Sequence, residues 1–284
     1  MRWKEVPLFE IPGGEARKKA KRKELPGARL WTGNKARLIA EYLYRFVLVT
    51  KHGTYIDGFA GPQDLRHPEV CAARLVIERK HQPPWIRHYH LFELNPRSVD
   101  ALDALRAEKA HPEREIIVYQ GDFNNRVREI LRPDMIDDAE ATFALLDQRT
   151  FECHWRTVEL LANYRRVERA YKIELFYFLA DWWLGRAAGG SRPPRLAAWW
   201  GGPGSYEIVR MRSPQRADIM TRRFVDELGY TFVNPYAIYE RRGGGRLVYY
   251  MIHATDHPDA PRLMDEAYRD AVLPHNAPEE ITLF

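Results

Sequence analysis

Between residues 54 and 131 an apolar run that ends in an acid and gives way to a helical segment occurs three times. Thr54-Tyr55-Ile56 ends at Asp57, His88-Tyr89-His90-Leu91-Phe92 ends at Glu93, and Glu115-Ile116-Ile117-Val118-Tyr119-Gln120-Gly121 ends at Asp122. Helical segments follow over 68–78, 95–109 and 125–131. Short apolar runs alternating with helices predict parallel strands joined by crossovers, and hence a doubly wound α/β sheet. Ligands of such sheets lie across the carboxyl ends of the strands, where all three acids fall. One such acid by itself is a helix cap. Three in succession describe a site.

The first turn, Asp57-Gly58-Phe59-Ala60-Gly61-Pro62, has the two glycines a backbone needs to pass close to a ligand. It lacks the third glycine of a dinucleotide fingerprint. An acid after the second strand suits a ribose diol, because a carboxylate accepts two hydrogen bonds. An acid after the third strand is placed for an exocyclic amine of adenine. That order fits S-adenosyl-L-methionine (SAM), which has no pyrophosphate, better than NAD. The expected cofactor-binding residues are Asp57, Gly58, Phe59, Gly61, Glu93 and Asp122.

The flanking chain extends the pattern. Residues 1–33 read as an arm punctuated by Pro7, Pro12, Gly13, Gly14, Pro26, Gly27 and Gly33. A helix is predicted over 34–49, with Leu38, Tyr42, Phe46 and Val49 on one stripe. Residues 141–146 form a fourth buried strand ending at Asp147, followed by a helix over 154–164 and a very apolar fifth strand over 172–179. A Trp-rich insertion at about 181–203 reads as a long loop or cap over the strand ends. A helix over 214–228, a hairpin of 230–240 with 247–253, and a helix over 260–272 complete the chain. Five strand–helix units and an antiparallel hairpin are the layout of class I methyltransferases; an NAD-binding sheet would add a sixth parallel strand. The expected organisation is therefore the arm at 1–33 and one seven-stranded Rossmann-like α/β domain at 34–284.

Charge and cysteine usage narrow the setting. The chain carries a formal net charge of +5, and six of the seven residues at 17–23 are cations: Arg17, Lys18, Lys19, Lys21, Arg22 and Lys23. Such a run is a solvated tail or a grip on a polyanion such as nucleic acid. No apolar run approaches the roughly 18 residues of a membrane span, and the N-terminus lacks a leader's apolar core. Two cysteines, Cys71 and Cys153, with no CxxC and no clustered histidines suit a reducing cytoplasm and argue against a metal site.

Tyr55-Ile-Asp-Gly-Phe-Ala-Gly-Pro62, Leu145-Leu-Asp-Gln-Arg-Thr-Phe-Glu-Cys153, Lys172-Ile-Glu-Leu-Phe-Tyr-Phe178 and Ala254-Thr-Asp-His-Pro258 resemble the three-Cys-motif partner family (TcmP), in order and spacing, over roughly residues 31–270. The resemblance implies a bacterial protein with the SAM-dependent methyltransferase fold and a partner carrying a three-cysteine motif. One departure is Gln63, where the glycine turn often has a third glycine.

Asp147-Gln148-Arg149-Thr150-Phe151 occupies the place where amino-methyltransferases hold the target amine with an acid or amide, two prolines and an aromatic ring. Asp147 can orient an acceptor N–H or O–H, and Arg149 can clamp an anionic one. Gln148, Phe151, Trp182 and Trp183 are the expected substrate contacts. His253, Asp256 and His257 fit a capped turn better than a base, and Cys153-His154 neighbours point apart on a helix. The expected activity is SAM-dependent methyl transfer to nucleic acid or another polyanionic acceptor. The alternative from another class is an accessory protein that keeps the fold to bind a partner or nucleic acid without catalysis.

Overall fold

The computed structural model describes residues 28–62, 64–67, 71–78, 85–164, 170–187, 194–202, 204–241 and 244–272. In chain order the elements are α1 (Ala28–Thr50), β1 (Gly53–Asp57), α2 (Ala72–Glu78), β2 (Ile86–Glu93), α3 (Pro96–Glu108), β3 (Glu115–Gln120), α4 (Phe123–Arg126), β4 (Thr142–Leu146), α5 (Trp155–Ala162), β5 (Glu174–Leu179), α6 (Asp181–Ala187), α7 (Pro194–Trp200), α8 (Ser205–Arg210), α9 (Ser213–Asp226), β6 (Phe232–Arg241), β7 (Gly244–Thr255) and α10 (Ala260–Ala271).

The strands form one seven-stranded sheet in the order β3-β2-β1-β4-β5-β7-β6. β1 to β5 are parallel, and β7 runs antiparallel to both β5 and β6. This is the expected class I methyltransferase-like Rossmann fold. Burial explains why the central strands read as continuous apolar runs: every residue of β1, β4 and β5 is buried, because helices cover both faces. Successive strand residues point to opposite faces. Phe176 accordingly meets Phe143 and His253 on the side where Tyr42 of α1 packs, while its neighbour Tyr177 meets Phe224 of α9 on the other.

The chain winds outward from β1 to β3, then returns to place β4 on the other side of β1. The crevice at that reversal lies between the carboxyl ends of β1 and β4, where doubly wound sheets bind ligands. Asp57 closes β1 and Asp147 directly follows β4, so the two acids flank the reversal.

Two expectations are corrected. Helix α1 starts at Ala28, six residues ahead of its predicted start, so the arm is shorter than 1–33; Gly33 punctuates a turn only when no helix is built through it. The Trp-rich stretch is not one long loop. It contains α6 and α7, with Leu184, Leu196 and Trp199 buried. The basic run at 17–23 and Gln63 lie outside the described residues.

Candidate functional site

Three of the four strand-end acids, Asp57, Glu93 and Asp122, accept from backbone amides of the turns. The Asp57 carboxylate accepts from the Phe59 amide at 3.1 Å and from the Tyr55 hydroxyl at 2.9 Å, which fixes the first turn of the β1–α2 connection. Only 1% of Asp57 is exposed. Burial disfavours its ionised form and raises its pKa to about 7, against the smaller lowering effect of those two hydrogen bonds; Asp147 and Glu93 nearby push it up further. Burial also holds the Tyr55 hydroxyl well above its ordinary value, so it remains a donor.

Glu93 ends β2 and reaches back to the glycine turn. Its two oxygens accept from the Gly61 amide at 3.0 Å and the Asn95 amide at 2.7 Å. A carboxylate offers about four lone-pair sites, so capacity remains for a ligand diol. The contact explains the glycine: a Cβ at position 61 would stand 2.0 Å from a Glu93 oxygen and 2.7 Å from Ser98 Cβ. At Gly58 a Cβ would meet the Phe123 ring at 2.8 Å.

Asp122 is the N-cap of α4. Its Oδ1 accepts from the Asn124 amide at 2.9 Å and the Asn124 side chain at 2.8 Å. Asn124 also donates to the Glu152 carbonyl at 2.7 Å, and its oxygen accepts from the His154 amide and the Thr157 hydroxyl, both at 2.8 Å. One side chain thus ties the β3–α4 turn to the β4–α5 turn. No periodicity or motif singles it out.

These turns enclose a cleft of about 470 Å³ lined by Gly58, Phe59, Gly61, Glu93, Asp122, Asp147, Arg149 and Phe151, among others. The volume lies within the roughly 300–1,000 Å³ of small-molecule sites. All predicted cofactor residues except the fully buried Asp57 line it, and Asp57 supports its floor through Phe59. Phe59 stands edge-on to Phe123, and Phe151 packs on Trp199. Arg149 is exposed on the rim, as is Arg195 of α7, which the sequence reading did not single out.

Asp147 is not a helix cap; the N-cap position of α5 is His154. Its oxygens lie 2.7 and 2.6 Å from the ammonium of Lys35, a side chain only 2% exposed on α1. Lys35 was also missed, yet the sequence holds a signal: it continues the spacing of Leu38, Tyr42, Phe46 and Val49, a cation on an apolar stripe.

Three predicted substrate contacts are corrected. Gln148 is fully buried; its amide donates to the Phe178 carbonyl at 3.1 Å and accepts from the Cys153 amide at 2.8 Å. It staples β4 to β5 because a polar side chain between two buried strands must satisfy their orphan groups. Trp182 and Trp183 sit on α6, touch each other, and do not line the cleft. His253 is buried against Glu174 at 2.8 Å, at the far end of the sheet, and Asp256 accepts from Thr231. Cys71 and Cys153 are free thiols, and burial pushes Cys71 up to about 12, so neither is a ready nucleophile. Among the described residues no His/Cys/Asp/Glu group is built for a metal ion, and no helix is long and apolar enough to cross a membrane.

No family model matches the chain and no curated protein matches it, so the family resemblance rests on its quoted motifs. Solved structures with a similar arrangement include M. jannaschii TYW2 in complex with AdoMet (12% identity, 78% of this chain and 75% of that one, TM-score 0.41). A Legionella pneumophila protein of the DUF519 family is 11% identical, with 87% and 94% covered and a TM-score of 0.49. A proposed methyltransferase from Thermobifida fusca is 13% identical, with 83% and 85% covered and a TM-score of 0.46. The fold assignment rests on the strand order and directions, not on these likenesses.

Proposed function

We propose that the chain is a SAM-dependent methyltransferase acting on nucleic acid or another polyanionic acceptor. The observation that supports it best is the gathering of Gly58, Gly61, Glu93, Asp122 and Asp147 into one cleft across the ends of four adjacent strands. The residues fit the cofactor. Glu93, already oriented by two amides, has capacity left for the ribose diol. Asp122 bonds Asn124 through Oδ1, and its Oδ2 has no partner among the described residues, so an adenine amine can use it. Asp57 keeps the turn shaped, and the acids together favour a ligand carrying positive charge.

The cofactor supplies a methyl group on a cationic sulfur that leaves as a neutral thioether. The protein's share is alignment and exclusion of water. Asp147 accepts a hydrogen bond from the acceptor's N–H or O–H, turning the lone pair toward the methyl; the displaced proton leaves through that bond. Phe151 offers an aromatic wall for a planar acceptor. Arg149 and Arg195 on the rim suit phosphate or another anion. The basic run at 17–23 precedes α1 in the sequence, a second reason to favour a polyanion.

Calorimetric titration of SAM and S-adenosylhomocysteine (SAH) tests the reading. Micromolar binding that Glu93→Ala weakens at least tenfold is expected, followed by labelled-methyl transfer into nucleic acid that falls with added salt. Absence of cofactor binding, with salt-dependent nucleic-acid or partner binding retained, would leave the accessory-protein reading instead.

A further inference from the structure

Lys35 reaches Asp147 from α1, a helix with no residue lining the cleft among the described residues. Its ammonium touches both oxygens of Asp147, at 2.7 and 2.6 Å, and lies 5.6 Å from the centres of the Phe178 and Tyr249 rings. The lysine is 2% and the aspartate 10% exposed, so water screens the pair poorly. Asp147 lines the cleft and Lys35 does not; the cation stands behind the carboxylate. A buried pair of this kind is weak evidence for stability, since desolvation offsets most of the attraction. Its location in the site asks for another account.

We propose that Lys35 is a positioning and specificity residue: from behind, it fixes the Asp147 carboxylate at the acceptor end of the cleft and cancels its charge. This rests on the methyltransferase reading. A charge-cancelled carboxylate still accepts a hydrogen bond from a neutral N–H or O–H. It no longer draws in an alkylammonium, whose nitrogen has no lone pair for the methyl. The acceptor class is therefore a neutral amine, amide or hydroxyl, as on a base or a sugar, and not a protonated side-chain amine. Without Lys35, Asp57, Glu93 and Asp147 would form an acidic site with no buried cation against it among the described residues.

The test compares two ligands that differ in charge at the reacting sulfur. SAM carries a sulfonium and SAH a neutral thioether, and an acceptor held on Asp147 must meet the methyl, so the sulfur lies within several ångströms of that carboxylate. Their affinity ratio reads the local field. At pH 8.5, Lys35→Met is expected to raise the preference for SAM over SAH on the order of tenfold, the effect of one uncompensated charge at that range in a partly buried site. Lys35→Arg keeps the wild-type ratio. A ratio that stays put in Lys35→Met while both affinities fall alike makes Lys35 a structural staple and overturns the assignment. Should Lys35→Met not fold, Asp147→Asn reads the same field with the opposite sign: the preference for SAM falls, and an unchanged ratio there refutes the proposal. Wild-type protein that binds neither ligand sinks the cofactor reading itself, and this role with it.

Discussion

Asp57→Asn should stabilise the protein by an amount that grows with pH. The native carboxyl holds its proton up to about pH 7, whereas its ordinary pKa, taken for the unfolded chain, is 3.8. Between those values unfolding releases a proton, so native stability falls as pH rises; the loss begins near the unfolded pKa and is complete above the folded one. The shift corresponds to about 4 kcal/mol at its ceiling, and to about 3 kcal/mol between pH 5 and 8.5. With 1% of Asp57 exposed, solvent screening takes little from this figure. Asparagine removes the titration and keeps most of the geometry. Its carbonyl can accept from the Phe59 amide, and its amide can donate to the Tyr55 oxygen. Urea unfolding of wild-type and Asp57→Asn protein without cofactor, at pH 5, 7 and 8.5, measures the difference, and other titrating groups cancel in the comparison. A stability gap of the same size at all three pH values would refute the reasoning, for it would mean that Asp57 is ionised throughout. The same variant should bind SAM more weakly at pH 8.5, where the acid would otherwise place a negative charge beside the cation.

Two further substitutions separate the binding surface from its supports. Gly61→Ala forces the Glu93 carboxylate away, since the new methyl would overlap its oxygen at 2.0 Å; SAM affinity should fall at least tenfold, and urea unfolding should show a loss of about 1–3 kcal/mol from overpacking against Ser98. Gln148→Ala leaves the Phe178 carbonyl and the Cys153 amide without their Gln148 partner in the interior, so unfolding curves should shift by about 2–6 kcal/mol, at about 1–3 kcal/mol per orphaned group. If Gln148 touches the acceptor instead, its loss will appear in methyl transfer with stability unchanged.

The sheet and its ligand end were legible because both depend on local pattern. Apolar runs of strand length alternating with helices leave few topologies, and a turn after each run puts the next acid at the same end. Glu93 and Asp122 were found for that reason. The helix boundary at Ala28 and the two short helices at α6 and α7 were not, because glycine, proline and tryptophan spacing speaks only to local propensity, which tertiary packing overrides. Trp182 and Trp183 misled in the same way: an aromatic cluster near a strand end has no direction until its helix is placed.

The sequence alone determined the order of the strands, the hairpin that closes the sheet, and the four acids that end successive parallel strands. Tertiary structure alone decided how those acids are used. It buried Asp57 and moved its proton affinity toward neutrality, set Lys35 on Asp147 from 112 residues away, and turned Gln148 inward to bridge β4 and β5. The physical reason is range. Backbone pattern is written over a few neighbouring residues, whereas burial and charge depend on which distant groups the fold brings within a few ångströms, where the low-dielectric interior makes each of them count.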